Sequence, residues 1–391
     1  MLWRLIKMAS FPSLALFFLT SCGHNPVTGQ KELHLVSQKQ EISMGEDNYH
    51  YGQQQSGGIY RDDPELTKYV NQVGKSLAKA CDRSDLPYEF VIINSSVPNA
   101  WAMPGGKITI NRGLLVELHS EAELAAVLAH EITHAAARHG AKSMERGLIL
   151  TTGLGATSIL LSDPEHRVRN TAILTSASVA AGLVTMRYGR EAELEADHYG
   201  MHIMAKAGYD PKAAISLQQT FVKLSEEKKT NWLKGLFASH PPSQERVKAN
   251  ELTAQKLPQG LKQGKKEYQL HLAKLMKQKP AYDQYEEAQK ALAKGEEAKA
   301  LESSEKAIAL RPTEALFYTL KGDILAKQKN YTLALENYTK AISLDAEYFY
   351  PHLQKGLVLE KMGKKQQARN ALHQSLALLP TKSATLALER I

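Results

Sequence analysis

The chain has 391 residues, a formal net charge of +8, 43% apolar residues and 23% charged residues. That length predicts two or three domains, and the apolar fraction is enough to build cores, which excludes general disorder. Cys22 and Cys81 are the only cysteines, which excludes a disulfide framework and a cysteine-rich zinc module. The positive charge is dispersed as single lysines with no aromatic-basic module, so nucleic acid is not an expected partner.

Residues 1–21 read as an export signal, with Arg4 and Lys7 ahead of an apolar run from Phe11 to Leu19 that is too short to span a bilayer. The segment ends Leu19-Thr20-Ser21-Cys22, which resembles the bacterial lipobox, where the cysteine is lipidated and becomes the first mature residue. Gly23 follows, not Asp. In the usual sorting logic this places a lipid-anchored protein in the periplasm, on the inner face of the outer membrane.

Residues 38–82 carry helical periodicity, with Pro64 at a helix start. Tyr88 to Asn94, Asn99 to Met103 and Lys107 to Asn111 read as strands around a Pro104-Gly105-Gly106 turn. A small antiparallel sheet is therefore expected ahead of a central helix opening at Ser120, with Ser120 and Glu123 as a capping box. Two uncharged stretches follow at Gly147–Leu161 and about Thr171–Met186. Both fall short of the ~20 residues of a span and read as buried or membrane-surface helices. Further helices are predicted from Gly189 to Ala207 and on to about Lys229. Residues 261–280, rich in Lys and Gln, read as a linker.

The last third repeats with a period of 34: Ala300, Ala334 and Ala368 lie at that spacing, as do Ala288, Gly322 and Gly356. Small residues at fixed helix contacts in this period resemble the tetratricopeptide repeat. Three repeats and a capping helix are predicted over 281–391, of the kind that bind extended peptide or protein.

The chemistry lies in His130-Glu131-Ile132-Thr133-His134. On a helix, residues four apart share a face, so His130 and His134 can grip one Zn²⁺. Glu131, about 100° round the helix, can reach a water as general base. A catalytic zinc wants a third ligand, and Glu191, Glu193, Glu195 and Asp197 stand on a later helix. Spacing favours Glu193 with Asp197 supporting a ligand imidazole, but only modestly over its acidic neighbours.

HExxH followed some sixty residues later by Glu-x-x-x-Asp in an Ala-Asp context resembles the zinc peptidases that include HtpX and the CAAX prenyl proteases. The resemblance implies Glu193 as third ligand, Asp197 as its supporting carboxylate and one Zn²⁺ per chain. It also implies that Asn99, Ala100 and Trp101 form an edge strand that pairs with substrate backbone. Ser239-His240-Pro241 through Arg246 resembles the family's later motif. Two roles are open to His240: stabilising the oxyanion with Arg246, or filling the open metal position as a latch.

The exported, repeat-bearing layout is similar to the BepA-like periplasmic members of that family. The expected fold is mainly α: a zincin-like α+β metalloprotease domain over 22–260, then an α-helical repeat solenoid. The expected function is metal-assisted hydrolysis of unfolded or misassembled envelope proteins, with repeats that bind clients or the outer-membrane β-barrel assembly machinery. The competing readings are a periplasmic chaperone or adaptor with little proteolysis, and a membrane-embedded prenyl protease, with which the short apolar stretches conflict.

Overall fold

The computed structural model describes residues 22–153, 178–226 and 238–391. The predicted leader 1–21 lies outside them, as do 154–161 and 171–177 of the two apolar stretches. Among the described residues no helix is long and apolar enough to cross a membrane.

The described chain opens with an antiparallel pair, β1 (Cys22–His24) and β2 (Lys31–Leu33). Helix α1 (Gln38–Ser56) starts at a capping box of Ser37 and Gln40. Helix α2 (Pro64–Ala80) has Pro64 in its first turn, and the Asp63 side chain accepts from the Leu66 N–H. Its Leu66, Tyr69, Val70, Val73 and Leu77 form one buried stripe, the spacing of a core-facing helix.

Strands β3 (Glu89–Ile93), β4 (Ala100–Met103) and β5 (Lys107–Asn111) follow, in the order β3-β5-β4. The sheet is mixed, not antiparallel as the sequence suggested: β4 pairs antiparallel with β5, but β3 pairs parallel with it. The hairpin is set by Gly105 and Gly106 at φ 77° and 86°, a region open to glycine. A Cβ on Gly105 would come within 2.7 Å of the Ile42 Cα. Strand direction for β3 depends instead on the crossing at Asn94–Asn99. That crossing is pinned by Asn111 N–H to Asn99 O (2.8 Å) and Gly113 N–H to Ser95 O (2.9 Å). Residue alternation carries no information about such a crossing.

A short helix α3 (Arg112–Leu115) leads to α4 (Glu121–Ala136), whose sixteen residues are all buried. Ser120 caps the Glu123 N–H as predicted, but the Glu123 carboxylate accepts from His119, one residue earlier than a capping box requires. Helix α5 (His139–Gly153) follows, then α6 (Arg190–Lys206), α7 (Lys212–Glu226) and α8 (Gln244–Ala254). The alanines of α4 let α6 approach closely. At the crossing stands Gly200, where a Cβ would lie 3.2 Å from the His130 backbone nitrogen.

The stretch 261–280 is not a linker. From Lys265 on it is the first half of α9 (Lys265–Lys294), a continuous helix with Pro280 inside it. Tyr268, Leu272 and Leu275 recur at helical spacing among the lysines and are buried, and the Tyr268 hydroxyl donates to Leu115 O. The repeats pair the end of α9 with α10 (Glu297–Leu310), α11 (Ala315–Lys327) with α12 (Tyr331–Leu344), and α13 (Phe349–Lys361) with α14 (Lys365–Leu378). Helix α15 (Lys382–Arg390) ends the stack. The periodic small residues are its contacts: a Cβ on Gly322 would meet the Tyr338 ring at 2.5 Å, and one on Gly356 would meet Leu372 at 2.7 Å.

The two halves share a core. Tyr268, Leu275, Tyr282 and Phe317 belong to one buried cluster with Phe90, Ile92 and Leu128, and each fully buried side chain of this size contributes ~1.5–3 kcal/mol. Arg112 stacks on the Tyr282 ring at 3.4 Å, and Gln54 bonds both Glu347 O and the Phe349 N–H. At the other end, the N-terminal hairpin is clipped to the C-terminus of α4. Asn25 Nδ2 donates to Ala137 O at 2.9 Å. Arg138, with a left-handed φ of 62°, donates to Glu41, Glu32, Glu145 and Val36 O.

Candidate active site

Helix α4 presents His130 and His134 one turn apart, with Nε2 atoms 3.0 Å from each other. Helix α6 brings Glu193 against them: Oε2 lies 3.6 Å from His130 Nε2 and Oε1 3.4 Å from His134 Nε2. His240, from the turn before α8, adds Nδ1 at 3.1 Å from Glu193 Oε1 and 3.2 Å from His130 Nε2. One donor atom from each of the four lies within 4.8 Å of the others. Two neutral-capable imidazoles, a carboxylate and a third imidazole form a donor set suited to a divalent metal.

Glu131 is buried beside this cluster. Its Oε1 is 3.5 Å from His240 Nε2, while Oε2 has no hydrogen-bond partner. A buried carboxylate oxygen with no partner is rare and is poised to accept a proton.

Each imidazole of α4 is held from behind. Asp197 Oδ1 lies 2.9 Å from His130 Nδ1, which fixes the Nδ1–H tautomer and turns the Nε2 lone pair to the cluster. Arg246 donates to both Asp197 oxygens at 2.7 Å and sets Nη1 2.8 Å from Glu193 Oε2. The guanidinium, for which the sequence left open a part in stabilising an oxyanion with His240, is thus engaged by two carboxylates. On the other side His134 Nδ1 is 2.8 Å from His139 Nδ1, and His139 Nε2 is 3.1 Å from Glu195 Oε2. Tyr188 stacks on His134 with ring centroids 4.0 Å apart.

The electrostatics follow from this packing. Burial pushes the His134 pKa well below the usual imidazole value, so it stays neutral and able to ligate. Burial also raises Glu131, toward the range of a useful base. For Glu193 burial acts upward, but the His240 charge and hydrogen bonds from His134 and His240 outweigh it and hold the carboxylate ionised. Burial opposes a charge on His240, and the Glu131 and Glu193 carboxylates overcome it and raise its pKa.

Strand β4 forms the edge of the sheet, and among the described residues it pairs only with β5. Ala100 borders a slot beside His130 and Glu131. Trp101 is buried against Tyr49, ring edge to face at 5.9 Å, so its ring belongs to a small apolar cluster with Tyr49 and Met103. Asn99 Oδ1 approaches Ser239 Oγ at 3.5 Å. Cys22, at the start of β1, stands apart from this site.

His139, Tyr188 and the role of Glu195 were not read from sequence. His139 follows a residue in the left-handed region and Tyr188 lies outside any helix, so no helical spacing pointed to either.

Known proteins resemble this chain over residues 64–254 and over part of the repeats. The sequence profile of peptidase family M48 matches residues 64–254, and a TPR repeat profile matches 322–363. Residues 64–254 are thus similar to the M48 metallopeptidases. It is 31% identical over 213 residues to the beta-barrel assembly-enhancing protease of Escherichia coli (strain K12), covering 54% of this chain and 43% of that protein. It is 29% identical over 243 residues to the mitochondrial metalloendopeptidase OMA1 of Schizosaccharomyces pombe, covering 60% of this chain and 67% of that one. The match thus spans less than half the length of the E. coli relative. Among solved structures, the Arabidopsis OM64 TPR domain matches 29% of this chain and 95% of that chain at 22% identity, with a TM-score of 0.29.

The contacts behind His130 make a direct prediction. Asp197→Asn keeps the size but removes the charge that faces Arg246 and fixes the His130 tautomer. Metal affinity should fall ~10–100-fold, as read by chelator competition. An unchanged affinity would show that Arg246 and Asp197 do not position the ligands.

Proposed function

We propose that the chain is a zinc-dependent endopeptidase of the bacterial envelope that cleaves unfolded or misassembled outer-membrane proteins. The observation that carries this reading is the Glu131 carboxylate, buried with one unpartnered oxygen beside the converged His130, His134 and Glu193. These three residues would hold the ion. When bound, Zn²⁺ supplies Lewis acidity toward water and the scissile carbonyl. Glu131 takes the proton of the attacking water on Oε2 and later delivers it to the leaving amine. The substrate lies extended along β4, which among the described residues pairs with β5 alone, and an edge strand favours β-augmentation. An extended strand can come only from a chain that is unfolded or locally loose.

The envelope assignment is supported by the lipobox-like end of the leader and by the printed name of the E. coli relative. In this reading Cys22 carries the lipid, the domain faces the periplasm from the outer membrane, and the repeats bind clients or the barrel assembly machinery. His240 is the latch. Its Nδ1 lies among the ligand atoms, where it would complete a four-donor shell and keep water and substrate out. His240→Ala should therefore raise casein hydrolysis several-fold at unchanged zinc content. Loss of activity in that variant would make His240 a catalytic group and sink the latch.

The deciding experiment is casein hydrolysis at neutral pH by purified residues 23–391, with zinc measured by elemental analysis. Near-stoichiometric zinc with hydrolysis supports the enzyme. Neither metal nor cleavage would leave the second reading, an adaptor that holds clients through its repeats, which the seated His240 favours by keeping basal activity low.

A further inference from the structure

The Glu131 carboxylate opens onto a slot between α4 and α7. Among the described residues its apolar walls include Leu114, Ala126, Val127, Leu217 and Phe221, all buried. One uncharged polar side chain stands among them. Gln218 is 7% exposed, and its Oε1 is buried without a hydrogen-bond partner. Folded proteins leave few such acceptors, and the slot is where a donor can arrive.

The chemistry says which part of a substrate enters. Glu131 must return its proton to the leaving amine, so the residue that keeps that amine stands on the Glu131 side. The slot is bordered by His130, Glu131 and His240, and neither His134 nor Glu193 lines it. We infer that this slot receives the side chain on the leaving-amine side of the cleaved bond, and that Gln218 makes it select threonine or serine over their apolar isosteres. This rests on the peptidase reading above. The cavity of about 40 Å³ holds roughly three water-sized groups, which suits threonine and excludes an aromatic ring. Asp197 and Arg246 also border it, paired with each other, and the remaining carboxylate, Glu131, is the base the reaction needs, so no counter-ion is free for a charged side chain. A threonine methyl rests on the apolar wall while its hydroxyl donates to Oε1. Valine expels the water and leaves that acceptor unpaired, the condition under which a site rejects an isostere.

The test uses peptides that differ only at that position, carrying Thr, Val, Ser, Ala or Lys, together with mass-spectrometric mapping of casein cleavage sites. The wild-type chain should show kcat/KM about ten-fold higher for Thr than for Val, and no cleavage before Lys. In Gln218→Met, or in Gln218→Leu should the first variant fold poorly, Val should equal or overtake Thr. Equal Thr and Val rates in the wild type, or an unchanged ratio in both variants, would overturn the inference while leaving the peptidase intact. A wild type that cuts neither peptides nor casein overturns both.

Discussion

Glu131→Gln should abolish peptide hydrolysis while the metal content stays near one ion per chain. The side chain is not one of the four that converge, His130, His134, Glu193 and His240; it stands beside them with Oε2 unpartnered. Glutamine fills the same space, so the buried α4 should keep its packing and the ligand triad its geometry. What goes is the base. A positioned proton acceptor contributes ~10²–10⁴-fold, and an amide oxygen is too weak a base to replace it. Casein turnover beside elemental analysis checks both halves. Retained turnover would assign the base elsewhere; lost metal would show that Glu131 supports the ligand shell.

Glu193→Gln should have the second large effect, and by a different route. Here the metal itself should leave, and activity with it. Glu193 is the one carboxylate among the four converging groups, and its oxygens also face Arg246 and His240. Removing its charge leaves a buried guanidinium short of one partner, and breaking a buried ion pair in this way costs ~3–5 kcal/mol. Thermal unfolding should therefore shift downward even with excess zinc, and added zinc should no longer raise the melting temperature as binding to the native state otherwise does. A variant that melts and binds zinc like the wild type would remove Glu193 from the ligand set.

The part of the site legible in the sequence was the part confined to one helix. His130, Glu131 and His134 follow from i, i+4 spacing alone. Glu193 was only modestly ahead of its acidic neighbours by spacing, because what brings it to the histidines is the close crossing of α4 and α6 at Gly200, a tertiary contact. The same holds for Arg246, whose two carboxylate partners lie on α6. His139 could not be read because the left-handed Arg138 breaks the helical register just before it. In the fold, the repeats were legible because small residues recur where paired helices touch. The first half of α9 was misread because its lysines and glutamines are only the solvent face of a helix whose Tyr268, Leu272 and Leu275 are core.

Cys22 is itself the first residue of β1, and the hairpin it opens is fastened to Ala137 and Arg138 at the end of the helix that carries both histidines. Were Cys22 acylated as proposed, the acyl group would be joined to the cleft through a hairpin bonded directly to that helix, not through a free tether. The cleft would ride at one height above the lipid, meeting polypeptide that stalls at the surface and passing over what lies deeper in the compartment. Inserting a flexible spacer after such an anchor would lengthen the protein's reach, and so change which clients it meets without altering its chemistry.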